Sequence, residues 1–384
     1  MRVKNILFAL SAMSGLAFAN DCNNINNQAK KIMMQNQITG MAIAIVNQNK
    51  VEFCNYGYTN KNKKIPITNK SIFEIASITK TFTALLAGIA VSENKLDLNA
   101  PITKYIPELM VNQSYTKINS KELLTHVSGL PLGFDKADTE KELLSSLINM
   151  KFTTQPGVNY QYSNSGITIS GIAIMRAYNN TYQNLLNTLI LNKLEMKYTS
   201  IDVNSVNKDL IVTGYNKHDH PVGFMNIGVD NPAGGLKSNT YDLAKYLQFQ
   251  MNASEPNLQQ ALSIVHTNYY CLYENGTYQQ LAWEYHPPNV LSEQFQPDQD
   301  GRNILPPHQL PKKCKDVANG FIDKNGNSIG MTSYIGYLLT KKIGVVILSN
   351  SALKPDVVNL GRYVMKNVLQ LSKKQKNIDG AVNA

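Results

Sequence analysis

Histidine and cysteine are scarce in this chain, at six and four residues among 384. No group of them has the spacing of a metal site, so no metal or other cofactor is expected. His218-Asp219-His220 comes nearest, and its polar surroundings mark it as solvated surface. Acidic residues are outnumbered, 27 against 37 Lys and Arg. The excess is Lys scattered through an Asn-rich chain, without a basic run or interleaved aromatics. That argues against a nucleic-acid partner and leaves weak attraction to anionic surfaces. Internal repeats and low-complexity segments are absent. Beyond the N-terminus no apolar run reaches the roughly 20 residues that a membrane helix needs, so no integral membrane association is expected. The chain is expected to act as a monomer.

What is present begins with an address. Arg2 and Lys4 precede an apolar run from Ile6 to Phe18, and Ala17-Phe18-Ala19 fits the small-x-small cleavage pattern of a secretory signal. Residues 1–19 are therefore read as a signal peptide, with the periplasm as destination. Cys22 follows Asp21 and lacks the small residue that a lipoprotein signal places before its cysteine. In an oxidising compartment Cys22, Cys54, Cys271 and Cys314 point to disulfides. Local pairing favours Cys22 with Cys54 and Cys271 with Cys314.

Hydrophobic patterning predicts a first helix over Asn24–Met34, then a hairpin of Ala42–Val46 and Val51–Tyr56. The C-terminal end mirrors it, with strands over Tyr334–Leu339 and Gly344–Leu348 and a helix over Val357–Leu371. Strands at both ends, each with a helix outside, suggest an α+β fold around one antiparallel sheet built from both termini. Between them lie helical stretches at Ile78–Ala90, Lys121–His126, Lys141–Ile148, Gly166–Ala177, Tyr182–Leu191 and Tyr241–Met251. Residues 270–316, rich in Pro, Gln and Asn, read as a long loop with one strand near Leu281–Tyr285.

Three short motifs carry chemistry. Ser77-Ile78-Thr79-Lys80 opens an apolar helix, and helical spacing sets the Lys80 ammonium beside the Ser77 hydroxyl. A serine needs such a neighbour to become a nucleophile. Ser92/Lys95, Ser114/Lys117, Ser205/Lys208 and Ser351/Lys354 share the spacing, but they lie in polar loops or at element ends. Tyr162-Ser163-Asn164 supplies a phenol that nearby lysines can make acidic, and an amide to hold a substrate. Lys324-Asn325-Gly326 places a cation for a substrate carboxylate and a glycine for close approach to the backbone. The N–H groups of Ser77 and Asn327 can then form an oxyanion hole.

In this order the motifs resemble those of the class C β-lactamases, which group with penicillin-binding D,D-peptidases and serine esterases. Phe73 to Thr83 resembles their active-site helix. Leu123–Pro131, Ala233–Ser238, Ala282-Trp283-Glu284 and Ile347–Asn350 have counterparts too. The resemblance implies an antiparallel sheet flanked by helices plus an all-helical lobe over roughly 78–260, in one catalytic domain from residue 20 to residue 384. Ser77 would form an acyl-enzyme, and Lys80 and Tyr162 would move its proton. Asn164, Lys324, Asn325, Gly326 and Asn327 would bind substrate, with Asn350 near its carboxylate.

Departures from the pattern bear on substrate. Asn325 stands where the family usually has Thr, Asp323 where cephalosporinases tend to carry His, Gly133 where a Gln covers the pocket, and Gly234 where an aromatic forms a wall. The leading reading is a class C-like β-lactamase with weakened substrate binding. A D,D-carboxypeptidase or serine esterase on the same site is the alternative, and an inactive binding protein the third. Partners are thus a small β-lactam or a D-Ala-D-Ala-type peptide. A serine mechanism needs no metal, so incubation with EDTA should leave hydrolysis unchanged; reversible loss restored by zinc would overturn it.

Overall fold

The computed structural model describes residues 21–134, 137–204 and 206–382, with side chains as far as 372. The expected signal segment and Ser205 lie outside the described residues. Helix α1 (Asp21–Gln35) leads into strands β1 (Gly40–Asn47) and β2 (Lys50–Gly57). After β3 (Phe73–Glu74) come α2 (Thr79–Ser92), α3 (Ser120–Leu124), α4 (Glu140–Ile148), β4 (Asn159–Tyr160), α5 (Asn164–Tyr178) and α6 (Tyr182–Leu186). Next are β5 (Gly214–Tyr215), β6 (Pro221–Val222), α7 (Asn231–Gly234), β7 (Lys237–Ser238), α8 (Thr240–Asn252) and α9 (Pro256–Val265). The rest holds β8 (Tyr270–Tyr273), β9 (Thr277–Gln279), β10 (Glu284–His286), β11 (His308–Gln309), β12 (Phe321–Asn327), β13 (Thr332–Leu338), β14 (Ile343–Ser349) and α10 (Pro355–Val382).

Eight strands form one sheet in the order β2-β1-β14-β13-β12-β10-β9-β8, and every pairing in it is antiparallel. The α+β expectation holds, and both chain ends meet where β1 pairs with β14 from Met41–Ser349 to Asn47–Ile343. Strand alternation explains the layering. Met41, Ile43 and Ile45 join Ile25, Ala29 and Ile32 of α1 and Val357, Val364 and Met365 of α10 in one buried cluster. Ala42, Ala44 and Val46 face the other way, into the cluster that holds Phe82 and Leu85 of α2 and Leu243 and Leu247 of α8. The two alanines there keep that face shallow, so helices can pack close to the sheet.

Helix α2 is buried along nearly its whole length. At Gly88 a Cβ would stand 2.7 Å from the Ala261 carbonyl oxygen, so the missing side chain lets α9 cross against α2. Capping boxes at Asn119 and Thr139 start α3 and α4. Both disulfides pair as local spacing suggests: Cys22–Cys54 ties α1 to β2, and Cys271–Cys314 ties β8 to the segment ahead of β12.

Four expectations need correction. Residues 270–316 contain β8, β9, β10 and β11 where one strand was expected. These strands are two to four residues long, and β8 carries an irregularity between Cys271 and Tyr273, so alternation is too brief to read. Helix α9 was not expected, although Leu258, Ala261, Leu262 and Val265 have helical spacing and are buried together. Helix α3 stops at Leu124, and His126 turns to φ +61°. The stretch Tyr182–Leu191 changes at Asn187 from α to π geometry.

The Cys22–Cys54 bridge spans 32 residues. Replacing both cysteines by serine should cost roughly 4 kcal/mol of stability by loop-closure entropy, read as a lower denaturation midpoint with activity of the folded fraction retained. An unchanged midpoint would mean that packing of α1 already restrains the chain.

Candidate active site

The Ser77 turn is built between two strands. β3 pairs with β7, and the Ile75 N–H donates to the Leu236 carbonyl at 3.1 Å. Ala76 then adopts φ +45°, a left-handed conformation that costs a non-glycine residue about 1–3 kcal/mol and persists only under outside restraint. Ser77 follows in a single 3₁₀ turn, Ala76–Ile78, before α2 begins. The restraint comes from β12 and β13. Ser333 Oγ donates to the Ile75 carbonyl at 2.9 Å and to the Gly326 carbonyl at 3.3 Å. At Gly326 a Cβ would lie 2.4 Å from the Ile75 oxygen, 2.5 Å from Ser333 Oγ and 3.0 Å from the Ser77 nitrogen. Only glycine lets β12 lie this close.

Lys80 Nζ donates to Ser77 Oγ at 3.0 Å and to the Ala233 carbonyl at 2.5 Å. Lys80, Lys324 and Tyr162 are 1%, 2% and 5% exposed. Both ammonium groups stand 5.1 Å from the centre of the Tyr162 ring. Burial would raise the phenol, but the charges of Lys324 and Lys80, with the nearness of Ser77, outweigh it, and Tyr162 falls below its ordinary value. Its hydroxyl makes no fully formed hydrogen bond among the described residues. Burial lowers Lys80, with Lys324 adding to the shift while Tyr162 and Asp230 oppose it. An ammonium that loses its proton more readily than usual thus faces a phenol that does the same, an arrangement suited to relaying the Ser77 proton.

A cavity of about 660 Å³ opens over this group. Ser77, Tyr162, Asn164, Asn325, Gly326 and Asn327 line it; Lys324, expected to bind substrate, is not in the lining but stands 5.1 Å from the Tyr162 ring centre. Asn164 begins α5 after the N-cap Ser163, and its N–H donates to the Leu132 carbonyl at 2.6 Å. Its Oδ1 is buried without a partner among the described residues, so it remains available to a ligand. Asn327 Oδ1 accepts from Asn303 at 3.3 Å and Thr332 at 3.1 Å, which ties that side chain into the wall.

Asn350 is placed differently from expectation. It is fully buried and absent from the cavity lining; its Oδ1 accepts from the Gly40 N–H at 2.7 Å and its Nδ2 donates to the Tyr58 carbonyl at 3.3 Å. It locks β14 to the β1–β2 hairpin, and the nearby Ala352 and Leu353 reach the cavity instead. Gly133 borders a separate depression with Phe134 and Met150. Gly234 does adjoin the Ser77 turn, since a Cβ there would lie 4.0 Å from the Ala76 carbonyl carbon. His218, expected only at the surface, lines the cavity rim. Sequence reading also missed Met225, Arg302, Asn303 and Ile304 of the wall, because irregular loops give no periodic signal of what they face.

One buried cluster, Glu284, His286 and Asp323, has the side chains of a metal site. Arg362 Nε and Tyr334 Oη meet Asp323 Oδ2 at 3.2 and 2.9 Å, and His286 Nε2 meets Oδ1 at 3.0 Å. The carboxylate is thereby saturated and an arginine occupies the cation position, so these residues form a charge network behind β12.

Comparison with known proteins agrees with the geometry. The family model described as Beta-lactamase matches residues 25–370. This chain belongs to the β-lactamase family. A β-lactamase of Pseudomonas fluorescens is 32% identical over 334 residues, 85% of this chain and 92% of that protein. One from Providencia stuartii is 32% identical over 354 residues, 90% of this chain and 91% of its own length. Among solved structures, a β-lactamase/D-alanine carboxypeptidase from Pseudomonas syringae superposes with a TM-score of 0.81 at 27% identity, covering 92% of this chain and 99% of that one.

Within this β-lactamase-family site Gly326 has the least freedom. Gly326→Ala should push β12 off the Ser77 turn and slow acylation at least about tenfold, with the circular dichroism spectrum retained. A folded variant that acylates at the wild-type rate would show that the close approach is dispensable.

Proposed function

We propose that this protein is an exported serine hydrolase that opens the β-lactam amide through an acyl-enzyme on Ser77. The observation that carries the reading is Lys80 Nζ at 3.0 Å from Ser77 Oγ, with the buried Tyr162 phenol between Lys80 and Lys324 at the cavity floor. In this mechanism Ser77 Oγ attacks the lactam carbonyl as its proton passes to Tyr162 in its phenolate form or to Lys80 in its neutral form. The N–H groups of Ser77 and Asn327 stabilise the oxyanion. Collapse breaks the C–N bond, and the relayed proton goes to the departing nitrogen. Tyr162 then takes a proton from water as that water attacks the ester, and passes it to Ser77 Oγ as the acyl C–O bond breaks. Asn164 and Asn325 hold the substrate amide, and Lys324 attracts its carboxylate. Leu132, Val222, Met225, Ile304, Ile329 and Leu353 give the cavity an apolar wall, which supports an apolar acyl side chain.

A second reading, a D-alanine carboxypeptidase on the same site, is favoured by the double activity in the name of the Pseudomonas syringae protein. Both readings acylate Ser77 and differ in how fast water releases the acyl group. Export to the periplasm rests on the first nineteen residues.

Purified protein lacking residues 1–19 should turn over a chromogenic cephalosporin, and Ser77→Ala should lower that rate by at least about a hundredfold. A stable adduct with a fluorescent penicillin, without turnover, would favour the carboxypeptidase. An adduct mapped by mass spectrometry to Ser92, Ser114, Ser205 or Ser351 would overturn the nucleophile.

A further inference from the structure

We infer that His126 is a positioning residue for Tyr162, holding the phenol between Lys80 and Lys324 by gripping the backbone on either side of it and stacking on its ring. This rests on the reading of Tyr162 as proton carrier. The His126 carbonyl accepts from the Gln161 N–H at 2.8 Å. Its Nδ1 accepts from the Ser163 N–H at 3.2 Å. Between those two anchors the imidazole lies 4.2 Å from the Tyr162 ring centre, tilted by 30°. One side chain and its own carbonyl therefore fix residues 161, 162 and 163 together. The left-handed backbone of His126, φ +61°, accompanies this double grip.

The protonation state fits the task. Burial, then the charges of Lys80 and Lys324, hold the imidazole well below its ordinary value, so it stays neutral. Nδ1 accepts a hydrogen bond, which puts the ring proton on Nε2; that nitrogen is buried without a partner among the described residues. An imidazolium could not accept from Ser163, so the lysines that make Tyr162 acidic also keep its support intact. His126 does not line the cavity, and Nδ1 is occupied, so it is no base for substrate itself. Behind it the Tyr160 ring stands edge-on at 6.0 Å, and Tyr160 in turn meets His308 at 5.4 Å. His308 stacks on Tyr273 at 4.6 Å, next to the strand pinned by the Cys271–Cys314 bridge. The support is thus a row of rings, not a lone side chain.

The groups facing the phenol are Lys80 from α2, Lys324 from β12, Ser77 from its turn and Tyr160 from β4; Asp230 faces Lys80, and Glu284 faces Tyr160. Displacing the phenol from the two ammonium groups raises its pKa, so a higher pH is needed to ionise it. His126→Asn keeps an acceptor for Ser163 and tolerates the left-handed backbone, while His126→Phe keeps the ring and removes the acceptor. In each folded variant kcat should fall about ten- to a hundredfold, with KM within about twofold and the acidic limb of the kcat profile at higher pH. Tyr162→Phe should abolish that limb. If His126→Phe does not fold, His126→Asn carries the test. A limb lost in Tyr162→Phe but unmoved in the folded His126 variants overturns the positioning role alone. A limb that survives in Tyr162→Phe overturns the proton-carrier reading, and this inference with it.

Discussion

Strand β12 lies so near the Ser77 turn that no side chain fits at position 326, and the rest of the site is arranged around that contact. From the front, Ser333 bonds the Ile75 and Gly326 carbonyls at once. From behind, Asp323 of the same strand is held by Arg362 of α10, by His286 of β10 and by Tyr334 of β13. Successive residues of a strand point to opposite faces, so the residue that anchors β12 to α10 directly precedes Lys324 on the other face. A buried ion network of this kind contributes less to net stability than to uniqueness of placement. Here the placement fixes a lysine beside a phenol.

The centre of the site is unbalanced in charge. Lys80 and Lys324 are almost fully buried, and among the described residues no carboxylate bonds to either. The acid that most nearly offsets Lys80, Asp230, is itself raised by burial and bonded to Thr168. Such a cluster is costly in the empty protein. In the proposed mechanism its surplus positive charge is relieved when a phenolate forms at Tyr162, when a substrate carboxylate enters, or when an oxyanion develops on the acylated carbonyl. The site is therefore destabilised in the state before reaction and complemented by the charges that reaction creates. The left-handed Ala76 belongs to the same pattern, strain kept where chemistry needs a particular direction.

What could be read in advance follows from how locally each feature is encoded. The Ser77–Lys80 contact depends on helical spacing alone, and β1, β2, β13 and β14, though not β12, on alternation over seven or eight residues. Both were legible. Asn350 was placed beside the cavity by resemblance, yet one residue beyond β14 its amide points into the β1–β2 hairpin, a direction no local pattern encodes. Arg302, Asn303 and Ile304 enter the cavity from a loop whose path is set by β11, β12 and the second disulfide, contacts distant in sequence. His126 gave no signal either, since its role is to receive two N–H groups from residues 35 and 37 positions further on.

The same separation of frame from wall explains why one arrangement supports two readings. In the proposed mechanism acylation uses Ser77, Lys80 and the backbone of β12, held by α2 and the main sheet, with Tyr162 held between β4 and α5. The groups that decide which carbonyl arrives, and how water reaches the resulting ester, come from the wall: residues 216–225, 302–304, 328–329 and 352–353. These lie mainly in turns and irregular segments, where substitution is structurally inexpensive and specificity can change without disturbing the core. Leu353 adopts φ +52° at the cavity edge, an uncommon conformation for a branched aliphatic residue. Its constraint ties the wall to the end of β14, the strand that Asn350 locks in place. Asn350 therefore influences the cavity through its neighbours' position rather than by touching a ligand.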